Sequence, residues 1–263
     1  MIKKLIDIVF VSSMILFSLL DFEIMAQDSQ EAADFIKYYY VPPSHITKLI
    51  NVPYLDQNDI VSGCEAVSAT MLLQRYGYYV SKKTFVNEFF IKKDWFVDEQ
   101  TDEIFGPDPN SAYVGNPYIA SGDNCGFGCY SNAMAKSINL YFDKNEIVSQ
   151  QAIALKDKSL SYLVKNYISK DIPVLIWATM DMKPSKLTMS WIINFADKDS
   201  NYNVSDKYTW IAREHCLVLV GYDYYRYYFN DPYKDHGIIG YDRKIVEKRF
   251  SELGNMSVVI LNK

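Results

Sequence analysis

The chain is short of the residues that build metal and redox centres: its 263 residues include three histidines and four cysteines. Cys64, Cys125, Cys129 and Cys216 are too few for a disulfide scaffold at this length. Cys125 and Cys129 have a spacing that metal sites use, but no second Cys/His pair lies near them, so no metal is expected. A small disulfide loop between them is the preferred reading in an oxidising compartment. The acidic stretch Asp98, Glu99, Asp102, Glu103 and Asp108 fits no EF-hand spacing and reads as a solvated loop. No basic block stands out among 27 basic and 32 acidic residues, with a net charge of -5, which argues against a nucleic-acid partner. No internal repeat is visible. Apolar residues are not scarce: at 49%, against 22% charged, they suffice for a core and exclude wholesale disorder.

The longest apolar run, Ile8 to Leu20, is too short for a comfortable membrane span but has the length of a signal-peptide core. Lys3 and Lys4 precede it, and Ile24-Met25-Ala26 ends in a small residue. Residues 1–26 are therefore expected to be a signal peptide, with an uncleaved anchor as the alternative and the only expected membrane contact. Residues 27–47 read as an N-terminal extension and 48–263 as one domain, placed outside the cytoplasm by the leader.

Lys48 to Pro53 reads as a short strand. From Cys64 the apolar residues Ala66, Val67, Ala69, Met71, Leu72 and Leu73 follow helical spacing, with Ser62 as N-cap and Gly77 at the C-terminal stop. Ser81 to Ile91, Tyr130 to Phe142, Ser159 to Ser169 and Tyr241 to Leu253 read as further helices. Lys92 to Cys125 shows no period and reads as a long loop or insertion. Strands are expected at Val174 to Met180, Leu187 to Asn194, Cys216 to Tyr222, Tyr227 to Asp231 and Ser257 to Leu261. Helices first and antiparallel strands later indicate an α+β fold.

Cys64 falls in the first turn of its helix, where free N–H groups and the positive end of the dipole favour a thiolate. His215 opens the strand that runs to Tyr222. His215 and Asp231 are equidistant from Asp223, so a hairpin turn over Gly221 to Arg226 sets them nearly opposite each other. A carboxylate so placed fixes the imidazole tautomer and stabilises its protonated form. Spacing alone does not bring Cys64 to His215. Cys216 reads as a core residue, Glu65 as helix-start electrostatics, His236 as a solvated turn residue and rival base, and His45 as a linker residue.

Three segments resemble one known family. Val52-Pro53-Tyr54-Leu55-Asp56-Gln57 with Gly63-Cys64-Glu65-Ala66-Val67-Ser68-Ala69-Thr70-Met71-Leu72-Leu73 resembles the start of the bacteriocin-processing peptidase-like family, cysteine peptidase family thirty-nine and its relatives in the papain clan. His215 to Asp223 with Asn230-Asp231-Pro232 resembles its second half, and Gly126-Phe127-Gly128-Cys129-Tyr130 a stretch between them. The likeness runs roughly from Leu49 to Leu261. It implies a papain-like cysteine peptidase fold, with Cys64 as nucleophile, His215 as base, Asp231 orienting the histidine and Gln57 donating to the oxyanion. It implies no cofactor, and a peptide or protein substrate, cell-wall peptide included. Exporter-fused members cut double-glycine leaders in the cytosol; this chain carries no transporter segments and a leader of its own, so that substrate does not carry over. A wall amidase, a transglutaminase-like acyltransferase and a non-catalytic surface module remain the rival readings.

Overall fold

The computed structural model describes residues 46–233 and 236–263, which fall within one compact unit, Pro43–Lys263. The expected leader and nearly all of the expected N-terminal extension lie outside the described residues.

In chain order the elements are β1 (Lys48–Leu49), α1 (Cys64–Arg75), α2 (Lys82–Glu88), β2 (Lys92–Lys93), β3 (Phe96–Val97), β4 (Ile104–Pro107), β5 (Tyr113–Val114) and α3 (Ser131–Lys144). There follow β6 (Gln150–Leu155), α4 (Leu160–Asn166), β7 (Val174–Thr179), β8 (Lys186–Phe195), β9 (Lys207–Ala212), β10 (Glu214–Tyr222), β11 (Arg226–Asp231), β12 (Gly237–Asp242), α5 (Arg243–Glu252) and β13 (Ser257–Asn262).

The main sheet has the order β12-β11-β10-β7-β13-β6, with β1 added beside β10, and its pairings are antiparallel. Its centre is the driest part of the molecule. Every residue of β7 is buried, and so is every residue of β10 except the last. Val174, Leu175, Ile176 and Trp177 pair with Leu219, Val218, Leu217 and Cys216, and strands buried on both faces read as continuous apolar runs. Helix α1 packs on β10 and β7, α3 on β6 and β13, and α5 on β7 and β12. Helix α1 is buried from Cys64 through Leu73, and removing each large aliphatic side chain there from water stabilises by about 1.5–3 kcal/mol.

A second sheet, β3-β4-β8-β9, stands beside the first and carries much of the aromatic content. Trp191 and Trp210 stack, and Phe127 packs against both. The chain passes from β9 to β10 through one residue, Arg213, at φ 66°, so the two sheets are joined at the residue before Glu214.

Several expectations need correction. Lys92 to Cys125 is not a featureless loop: it contributes β2 to β5, and β2 pairs with β5 while β3 and β4 join the second sheet. Elements of two to four residues are too short to display an alternation period among prolines and asparagines. Strands β6, β9 and β12 were not anticipated. Helix α1 begins after Gly63 with no side-chain cap, because Ser62 Oγ donates instead to the Ile119 carbonyl. Ser81 does cap α2, accepting from the Thr84 N–H. Cys125 and Cys129 are free thiols, not a disulfide.

Candidate active site

Strand β10 is flanked by β11 along its later residues and by β7 along its earlier ones. Where β11 stops, helix α1 takes over that edge. Cys64 Sγ accepts the Cys216 N–H at 3.4 Å, and Ser68 Oγ donates to the Cys216 carbonyl at 3.0 Å. Residues four apart on a helix lie on one face, so α1 supplies both hydrogen bonds that a strand would have given Cys216. This places Cys64 on the residue next to His215.

His215 meets Asp231, though not in the expected register. The register ends with Leu219↔Phe229 and Val218↔Asn230; one step further it would set Leu217, not His215, opposite Asp231, so His215 is offset by two residues from the carboxylate. The turn is centred on Tyr224 and Tyr225 instead of Asp223, its chain held by the Asp223 side chain accepting the Tyr225 and Arg226 N–H groups. A bulge at Val220 then removes one step of the offset. Without that bulge, pairing from the turn would set Asp231 opposite Val218, whose side chain points to the face away from His215. With it, Asp231 and His215 share a face and bond at 2.7 Å between Oδ1 and Nε2. Each side chain is 1% exposed. Gly221 follows the bulge because β1 crosses there: a Cβ would sit 2.4 Å from the Lys48 carbonyl oxygen.

Asp231 has further partners. Its Oδ1 also accepts the Tyr233 N–H, and its Oδ2 the Tyr241 hydroxyl at 3.2 Å. His236 Nδ1 pairs with Oδ2 at 3.2 Å, so this histidine is partly buried on the carboxylate and not simply a solvated turn residue. Burial alone would raise the Asp231 pKa, but His215, His236 and the Tyr233 N–H together hold it well below the usual carboxylate range.

Gln57 is buried close by, its N–H donating to the carbonyl of Pro232, the residue after Asp231. Its Nε2 donates to the Val61 carbonyl at 3.0 Å, and its Oε1 is buried without a partner. His215 Nδ1 is likewise buried and unpartnered, and no hydrogen bond joins it to Cys64. The Cys64 thiol donates to Glu65 Oε2 at 3.3 Å.

The expectation of a lowered thiol pKa at the helix start does not hold for this arrangement. Burial, then the charges of Glu65 and Glu214, push Cys64 well up, which the helix terminus does not offset. Glu65 is itself raised to about 7, chiefly by burial, and Glu214 is raised well above the usual carboxylate range through burial and the charge of Glu65. Sequence reasoning treated Glu65 as helix-start electrostatics and passed over Glu214. The available signal was an acidic residue directly beside each of Cys64 and His215, in segments otherwise apolar enough to be core.

Among the described residues, Cys64, Glu65 and Glu214 form the one group of three or more potential metal-ligating side chains whose ligand atoms all lie within 4.8 Å of one another. Cys125 and Cys129 belong to no such group. The trio lacks histidine and has three members where a closed zinc site takes four, and it contains the candidate nucleophile, so its chemistry suits protons better than a resident ion. A surface hollow of about 830 Å³, lined by Phe90, Lys92, Phe96 and Phe195, shares none of these residues.

The sequence profile of the Peptidase_C39-like family matches residues 49–258, a span that contains Gln57, Cys64, His215 and Asp231. The chain belongs to the Peptidase_C39-like family. That membership supports a peptidase. The uncharacterized Bacillus subtilis protein YvpB is 28% identical over 211 residues, covering 78% of this chain and 72% of that protein. A presumptive C39-like peptidase from Bacillus anthracis, seen in a crystal structure, is 27% identical with a TM-score of 0.64, covering 82% of this chain and 98% of that one. Within a Peptidase_C39-like chain, the mixed α and β architecture and its antiparallel sheet serve one end: they bring the start of α1 against the start of β10.

Proposed function

We propose that the protein is a cysteine hydrolase of papain-like fold that cleaves a peptide or isopeptide bond outside the cytoplasm. The observation that carries this reading is the buried His215–Asp231 pair, with His215 Nδ1 still unpartnered, on the strand whose next N–H meets Cys64 Sγ. The extracytoplasmic placement rests on the leader-like first residues.

In this reading His215 Nδ1 takes the Cys64 proton, and Asp231 stabilises the imidazolium through Nε2. The thiolate attacks the carbonyl carbon, and the oxygen becomes an oxyanion held by the Cys64 N–H and the Gln57 amide. Each such donor is worth about 3–4 kcal/mol of transition-state stabilisation. The imidazolium then protonates the leaving amine, and water, deprotonated by His215, hydrolyses the thioester. The substrate is a peptide or protein, cell-wall peptide included. The raised Cys64 pKa means that the resting site holds a thiol, so proton transfer to His215 belongs to the catalytic cycle.

The test is hydrolysis of fluorogenic peptides and cell-wall peptides by the purified protein and three variants. Cys64→Ala and His215→Ala are expected to abolish turnover, and Gln57→Ala to lower kcat by about 10²–10³ with less effect on KM. Wild-type turnover by Cys64→Ala would sink the reading. Wild-type turnover by His215→Ala would move the base to His236.

A further inference from the structure

The carboxyl groups beside the thiol have no role in the mechanism above, yet they are as buried as the thiol itself. Glu65 is fully enclosed and Glu214 is buried, and one oxygen of each lies within 4.8 Å of the other and of Cys64 Sγ. Neither has an ion-pair partner among the described residues. Their neighbours are unequal. Glu65 Oε1 accepts the Cys129 N–H at 2.7 Å and Oε2 accepts the Cys64 S–H, a pattern of acceptance that suits an anion. Glu214 Oε1 is buried with no partner, which suits a protonated carboxyl far better than a charged one.

The protein has built room for the pair. Gly128, at φ 152°, lies over both groups: a Cβ there would stand 2.7 Å from Glu214 Oε2 and 2.7 Å from Glu65 Oε1. Its carbonyl accepts the Val114 N–H, and the next carbonyl, that of Cys129, accepts the Trp177 indole N–H at 2.7 Å. The loop is thus fixed on both sides of the pair.

We propose that Glu65 and Glu214 share a single proton beside Cys64 and that this proton gates the thiol. While the pair holds it, Cys64 can lose its own proton. Once the pair has lost it, a second buried negative charge opposes the thiolate. Glu65 and Glu214 are positioning residues, acting through Cys64. The gate rests on the cysteine hydrolase reading for its consequence, an activity that falls as pH rises through the titration of the pair. The titratable groups around it are Cys64 from α1, His215 and Cys216 from β10, Cys129 from the loop before α3 and Tyr113 from β5, with Tyr130 and Tyr208 on the Glu214 side. Among them His215 acts on Glu65 in the opposite sense to burial.

The full chain tests this in two measurements. Infrared spectra in D2O at about pH 6 should contain a protonated-carboxyl stretch that Glu214→Gln removes and that wild type loses by about pH 9. Iodoacetamide should alkylate Cys64 at rates within about twofold in wild type and Glu214→Gln near pH 6, where the buried charge is the same. Near pH 9 the variant should react about tenfold faster, because it lacks the second charge. Absence of the stretch in wild type overturns the proposal, and so does a rate ratio that is the same at both pH values or a stoichiometric metal ion bound to the trio. A protein that shows the stretch and the rate pattern but hydrolyses no peptide would retain the gate and lose the peptidase reading. Hydrolysis that needs Cys64 and His215 without the stretch would do the reverse.

Discussion

Asp231 combines two jobs that a substitution can separate. It orients His215 through Oδ1 while gathering the Tyr233 N–H, the Tyr241 hydroxyl and His236 into the same buried corner. Asp231→Asn keeps the shape but removes the charge and turns one acceptor into a donor. Turnover should fall by about 10²–10⁴, less than for His215→Ala. Stability should fall as well, with a definite pH dependence. The folded-state pKa of Asp231 is depressed, so its contribution is present above the unfolded value of about 3.9 and is lost as pH falls through the folded one. Urea denaturation of wild type and Asp231→Asn should therefore differ most near neutrality and converge in strong acid. A difference that persists unchanged at low pH would mean that packing, not charge, carries the effect. His215 and Asp231 were both legible as site candidates because each stands at the end of an apolar strand. The diagonal geometry was not, since residue spacing along two strands does not reveal where the turn is centred.

At the scale of elements, the site depends on a strand edge that changes partners. Strand β10 pairs with β11 as far as Asn230, and α1 then supplies Cys64 and Ser68 to the Cys216 backbone. On the opposite edge β1 follows the last residues of β10, with the Ile50 N–H donating to the Val220 carbonyl at 2.7 Å. Gly221 allows that approach. Gly221→Ala should destabilise by about 1–3 kcal/mol, measured by urea denaturation, through displacement of β1. Because β1 leads to Gln57, the variant should also lose activity out of proportion to its population of unfolded protein. An unchanged midpoint would show that β1 can move aside at no cost. The helices were the most readable elements, since α1 has a long buried face and α2 and α4 each start at a serine cap. In the second sheet β8 was legible but β3, β4 and β9 were not: β3 and β4 are too short to show a period, and β4 finds its partner β8 far along the chain.

Across the whole molecule, two buried acidic systems pull stability in opposite directions. Asp231 is stabilised as an anion, whereas burial of Glu65 and Glu214 together favours keeping one proton on that pair. For the second pair the folded-state pKa lies above the unfolded value of about 4.3, so the folded protein holds the extra proton and loses stability as pH rises between those values. Glu65 sets the upper end of its own window at about 7. Stability should peak on the acid side of neutrality and decline toward pH 8. Glu214→Gln, nearly isosteric and neutral, should flatten that decline, gaining about 1–3 kcal/mol over wild type at pH 8 and little at pH 5. Thermal melts of the two proteins across that range check it; parallel curves would place the decline elsewhere.

The sequence by itself determined the candidate nucleophile, its helix, the strand that carries the histidine and the family, because each is written in contiguous residues: a helical period after Gly63, an apolar run after His215 and short motifs around both. Only the tertiary structure decided what those residues meet. A bulge at Val220 set the face on which Asp231 lies, and the junction at Arg213 brought the second sheet to the site. The enclosure of Glu65 and Glu214 followed from burial against Gly128, Tyr113 and Cys129, segments far apart in the chain. Charge state in a protein interior depends on what surrounds a group in space, and no local pattern of residues encodes that.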